Sequence, residues 1–233
     1  MSFGGRLIGT FLWPGRTFRA IAGRPVWVDI LVLVLVLISL YSYLTFPFGQ
    51  MDRIRTMEAH EANLTAKWGP SGYASELERI KGRDRYLSAF VVTPLTALFG
   101  LLFAALIVLG LARVVSTEGN YLQVFSSLLH ASLVDKLLGN GLRLYPILSR
   151  GSTAEVPTGL SAFFLKLEGT STTAALLAQL DPFQIWMYFL FALGLAAAFK
   201  INLKKGLVIS FVFWLIKSLL AVGLFIIRTR PYL

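Results

Sequence analysis

The sequence predicts an all-α protein: a polytopic membrane helical bundle of about five transmembrane helices, with an interfacial N-terminal segment and an extramembrane helical hairpin. Three observations predict it. Of the 233 residues, 56% are hydrophobic and 15% charged, whereas a soluble domain is about half apolar and about a quarter charged. Several apolar runs exceed the ~10–14 residues of a buried globular helix. Lysines and arginines gather at the ends of those runs, where cytoplasmic loops and anionic headgroups draw them.

Taken in order, the chain opens with "FGGRLIGTFLWPGRTFRAIAGRPVW". Phe3, Leu7, Phe11, Phe18 and Ile21 interleave with Arg6, Arg16, Arg19 and Arg24, and Trp13-Pro14 divides the segment. That composition suits two short helices in the headgroup plane, apolar side down and arginines toward phosphates. The glycine pattern in "GGRLIG" follows no strand, so it does not read as a phosphate loop. No removable signal peptide is expected, because the first apolar run is too long and lacks a small-residue cleavage site.

Residues 26–46 form the first expected span, with Trp27 and Tyr43 as interfacial aromatics at its ends. About 20 residues at a rise of ~1.5 Å cross a ~30 Å hydrocarbon layer. The 48–88 loop is charged, and "MDRIRTMEAHEANLTAKW" and "YASELERIKGRDRYL" read as two helices separated by the breaker "GPSG". Residues 89–112 make the second span, which Pro94 starts or kinks. The stretch 121–138 carries Gln123, His130, Asp135 and Lys136, so it reads either as a third span or as an amphipathic surface helix. Residues 139–181 hold only short apolar patches, "LYPIL" and "LSAFFLKL", expected at the interface or between helices.

Asp181-Pro182 reads as an N-cap followed by proline at the first helical position, opening a span over 182–199. "KINLKKG" then allows only a tight turn into the last span, 206–227. The small residues from Gly194 to Ala198 would let a neighbouring backbone approach closely. Lys204 and Lys205 place this turn in the cytoplasm by the positive-inside rule, and counting back through five spans puts the N-terminus there too. The arginine-rich start agrees. Against it stand the basic residues of the 48–88 loop and Arg228 and Arg230, which would then be external.

The net charge of +10 reflects these flanking cations rather than a nucleic-acid surface. With no cysteine and only His60 and His130, disulfide chemistry is excluded and no metal site or cofactor is expected. "GLSAF" lacks the second glycine of a nucleophile elbow, and "EAHEA" has one histidine where a metalloprotease helix needs two. No catalytic residue is expected. The candidate polar site is Lys217, central in its span, where a charge costs about 2.5–3.5 kcal/mol on insertion scales and marks function by default. At the helical rise Lys217 lies about 16 Å deep, and His130 and Asp135 on the third span about 13 and about 21 Å. A Lys217–Asp135 pair is therefore within reach, as a seam for an ion, proton or headgroup or as an ion pair ordering two helices. A snorkelling lysine is the third option.

Pro14, Thr17 and Phe18, then Arg24, Pro25 and Trp27, then Leu180, Asp181, Phe183, Ile185 and Trp186, Gly194, and the basic turn with Lys204 and Lys205 resemble bacterial members of the Yip family of Ypt-interacting-protein membrane proteins. The charged 48–88 insert and the charged third span depart from its pattern. The resemblance implies one domain over 1–233, five helices and a cytoplasmic N-terminus in the bacterial inner membrane. It implies no catalytic residues. Eukaryotic members are tied to small GTPases and membrane traffic, and some bacterial members accompany exporters of the ABC class. The expectation is a non-enzymatic accessory protein whose partners are the lipid bilayer and a membrane protein or a second copy, with no nucleic acid. Its contacts would be Arg6, Arg16, Arg19, Arg24, Gly194, Lys204 and Lys205 and the 48–88 hairpin. The alternative is a small transporter, channel or lipid-handling protein using Lys217, Asp135 and His130.

Overall fold

The computed structural model describes residues 1–153, 159 and 172–229. Among these residues the regular structure is helical throughout, and the chain is a membrane helical bundle. The patch "LSAFFLKL", the "GLSAF" sequence beyond its first glycine, and Arg230 lie outside the described residues.

Trp13 is the break the sequence indicates: α1 is Phe3–Leu12 and α2 is Pro14–Gly23, with proline at the start. Helix α3, Val28–Ala59, runs through Pro47, and α4, Glu61–Lys81, returns beside it. The helical run is interrupted at "GPSG", as the sequence indicates, and a second time at His60, ahead of α4. Within α4 the tetrapeptide makes a kink between two helical stretches, where Gly69 takes a φ of 75° that only glycine adopts without strain. Helix α5, Arg85–Arg113, has a π-helical turn at Ser88–Val92, just before Pro94. Helix α6, Tyr121–Leu133, passes through a second π turn, Val134–Gly139, into α7, Asn140–Arg150, which contains "LYPIL". Helix α8 is Thr172–Ala178, α9 is Pro182–Ala198 and α10 is Leu203–Thr229.

Among the described residues three helices are long and apolar enough to cross a bilayer, α3, α5 and α10, and α9 is a shorter apolar helix. On α3, Val28, Val32, Val36 and Leu40 form an exposed stripe at four-residue spacing, while Ile30 and Val34 are buried. Phe99, Phe103 and Leu106 on α5 and Val208, Phe211, Leu215 and Leu219 on α10 are exposed likewise. Stripes of this extent on several helices would be untenable in water. Facing lipid they cost nothing.

The chain packs as two compact units. The first comprises Met1–Ile38, Pro94–Asn140 and Pro182–Lys217. In it α9 packs against α2, α6 and the second π turn. Its core holds Phe18, Ile21, Phe125, Leu129, Phe191, Leu195 and Phe199. Helix α2 buries Thr17, Phe18, Ile21 and Ala22, so its apolar face meets protein, while Ile8, Leu12 and Trp13 on the α1 side are exposed. Every residue of α6 from Val124 to Leu133 is buried, which decides against a surface helix. This helix has a weak hydropathy signal because protein surrounds it and its polar groups bond internally. Its start is fixed by a capping box in which Asn120 and Gln123 exchange side-chain-to-backbone bonds.

The second unit comprises Ser39–Thr93, Gly141–Asp181 and Ser218–Leu233. Met57, Leu64, Tyr73 and Ile80 form a small core between the hairpin helices. Pro47 has no N–H to give the carbonyl of Tyr43, four residues back. Arg85 Nε donates to that carbonyl at 2.9 Å, and the guanidinium carbon sits 3.7 Å over the Tyr43 ring.

Candidate functional site

The first unit carries an unusual amount of polarity inside. Helix α6 buries Ser126, Ser127, His130 and Ser132. Ser126 Oγ donates to the Val26 carbonyl at 2.9 Å and Gln123 Nε2 to that of Ala22 at 2.7 Å, so this helix holds the α2–α3 connection in place. His130 Nδ1 lies 2.8 Å from the Ser126 carbonyl and must donate to it, which leaves Nε2 as an acceptor. Nε2 is buried and meets no hydrogen-bond partner among the described residues. The charges acting on His130 are those of Arg6 and Asp29.

Lys217 occupies the middle of α10, half-buried, and its Nζ donates to Gln184 Oε1 on α9 at 2.6 Å. An ammonium in a lipid-facing helix needs such an acceptor, and an amide on the neighbouring helix supplies one. Asp135 lies in the π turn, buried, and its carboxylate accepts from Lys136 Nζ at 2.8 Å. Tyr188 of α9 senses the Asp135 charge. Around the three residues of the expected seam, His130 lies in the field of Arg6 and Asp29, Asp135 accepts from Lys136, and Lys217 donates to Gln184. The π turn carries the acid, and an extra residue in a turn commonly marks a functional position.

The residues expected at a contact surface divide in the same way. Arg16, Arg19, Arg24, Lys204 and Lys205 are exposed. Arg6 is not: its side chain is 8% exposed, pairs with Asp29 through Nη2 and donates from Nη1 to the Met1 carbonyl at 2.9 Å. Gly194 faces inward. A Cβ there would stand 2.6 Å from Ser127 Cβ and 3.0 Å from Phe18 Cδ1, so the small residue serves the close packing of α9 on α6 and α2. The α9–α10 turn is equally tight at Gly206, where a Cβ would meet the Ala192 carbonyl at 2.6 Å. Asn202 Oδ1 caps α10 by accepting from Lys205 N at 3.0 Å. Beside this turn Ser116 Oγ donates to the Phe199 carbonyl at 2.9 Å, and Lys200 pairs with Glu118 at 3.2 Å.

Sequence reasoning missed Gln184, whose signal was an isolated amide in an apolar helix. It also missed Arg143, which pairs with Asp181 at 2.7 Å in the second unit, the acid being 1% exposed. Helix α9 starts at Pro182 as the sequence indicates, and Arg143 accounts for the burial of the carboxylate just before it. Among the described residues no group of three or more His, Asp or Glu side chains is arranged to hold a metal.

No curated protein and no solved structure matches the chain. The Yip1 domain matches residues 8–225, from α1 almost to the end of α10. With that match extending over nearly all of an integral-membrane helical bundle, the chain belongs to the Yip1-domain family.

Proposed function

We propose that this protein is a non-enzymatic accessory protein of the bacterial inner membrane that binds and modulates a membrane partner, an ABC-type export complex, with its N-terminus in the cytoplasm and five helices across the bilayer. The observation that carries the reading is the hairpin. Helix α3 has 32 residues, about 48 Å at the helical rise, against a hydrocarbon layer of ~30 Å. Its excess length and α4 make an extramembrane element with its own small core and an exposed Trp68 on α4, an aromatic of the kind that anchors interfaces. The resemblance to bacterial family members that accompany ABC-class exporters supports that partner class.

The second reading, a transporter or lipid-handling protein, is favoured by Lys217 and its bond to Gln184. Purification of the full chain in mild detergent separates the two. The accessory reading expects permease and ATPase subunits of one exporter in fixed stoichiometry, lost on Trp68→Asp and kept on Lys217→Leu. A chain recovered alone, whose Lys217→Leu variant inserts normally but no longer complements a deletion strain, would overturn it in favour of transport.

A further inference from the structure

A cavity of about 310 Å³ opens where the first three helices meet, lined by Phe3, Arg6, Arg24, Val26 and Asp29 among others. Helix α1 begins at Phe3 and α3 at Val28, so two helix N-termini converge on it. The first amides of a helix have no acceptor within it and carry partial positive charge. Some are already used: Ser2 Oγ accepts from Gly5 N at 3.2 Å, and Asp29 Oδ1 from Ile30 N at 2.8 Å. The earliest amides of each helix remain.

Two arginines complete the lining. Arg6 is almost wholly buried, with Nη2 on Asp29 and Nη1 on a carbonyl, yet its Nε has no partner. A buried guanidinium N–H without an acceptor is costly. Arg24, at the C-cap of α2, is exposed. Asp29 is the first acid of the chain and is committed to Arg6, so the charge of Arg24 is uncompensated within the lining. Helix N-termini and planar guanidinium forks together suit a phosphate group. The two helices that start at the cavity expose apolar side chains: Ile8 and Leu12 on α1, Val28 and Val32 on α3. A phosphate arriving here comes most directly on a lipid whose acyl chains cover those residues.

We propose that the Arg6–Arg24 cavity is a phosphate-binding site filled by the headgroup of an anionic lipid. It requires only that the chain be membrane-embedded and is independent of any export partner.

The test uses the full chain in a neutral maltoside detergent, titrated with dioctanoyl phosphatidic acid, dioctanoyl phosphatidylcholine or inorganic phosphate, reading the thermal unfolding midpoint. The expected result is a saturable rise with phosphatidic acid at an affinity about tenfold above phosphatidylcholine, reduced about tenfold by Arg24→Gln, since a charge-assisted phosphate contact is at stake. Arg16→Gln, equally exposed but outside the cavity, is expected to leave the affinity unchanged. A saturable, Arg24-dependent response to inorganic phosphate supports the site with free phosphate as its source; no such response, with the lipid effect intact, supports the lipid. Equal losses in the Arg16 and Arg24 variants would reduce the effect to general surface attraction and overturn the proposal. So would the absence of saturation with both lipid and phosphate.

Discussion

Proline at position 47 removes one N–H from the middle of α3, and the carbonyl it leaves behind is taken by Arg85. The two residues therefore act together. Arg85→Leu is expected to destabilise the chain by about 1.5–3 kcal/mol, the range for a charged hydrogen bond. Pro47→Ala restores the helical N–H, so in the double variant most of the Arg85→Leu cost should vanish; unfolding in detergent measures the cycle, and additive effects would refute the pairing. At this scale the sequence was legible where a residue's own chemistry is the signal. Trp13-Pro14 broke the helix where expected, and Lys217 stood out by its cost. Residues acting through a distant partner were hidden. Nothing near Arg85 names Tyr43, nothing near Asp181 names Arg143, and Gly194 looks the same whether its neighbour is another chain or Ser127 of its own.

Among the elements, the apolar helices α3, α5, α9 and α10 were readable from length and hydropathy, since lipid selects for both. Helix α6 was not, because a helix enclosed by protein can carry serine, glutamine and histidine wherever a neighbour accepts their bonds. The hairpin was readable as helical, and "GPSG" does interrupt it through the positive φ of Gly69; the second break, at His60, carried no glycine or proline to announce it. In this hairpin Arg79 Nε donates to Glu76 Oε2 at 2.6 Å, and that bond, outweighing partial burial, holds the Glu76 carboxyl below its ordinary value of 4.5. A depressed folded value means the ionised pair supports the hairpin above the ordinary glutamate range. That support disappears as pH falls through the lowered value. A carbon-detected titration of Glu76 should give a midpoint below 4.5, moving up in Arg79→Gln; a midpoint unmoved by that substitution would contradict the assignment. The effect on stability is small, as for any exposed pair.

For the whole molecule, the membrane solvent and the helical class followed from composition, and the Yip1 match extends over the same chain. Orientation depends on where the cations lie, and here the basic N-terminal segment and the α9–α10 turn argue against the basic hairpin. The chain has no native thiol, so Ala66→Cys, Glu118→Cys and Lys204→Cys can each be probed singly with a membrane-impermeant maleimide on intact cells. The five-span arrangement expects Ala66→Cys to react and the other two to be protected; the reverse pattern would invert the protein in its membrane. The π turn at Val134–Gly139 bears on the same architecture over evolutionary time. A wide turn holds one residue more than an ordinary one, so excising a single position there could restore regular winding while both flanks kept their bearings toward the rest of the bundle. Descendants of this gene could shed an amino acid at that point, and with it the placement of Asp135, without rebuilding the protein around the change.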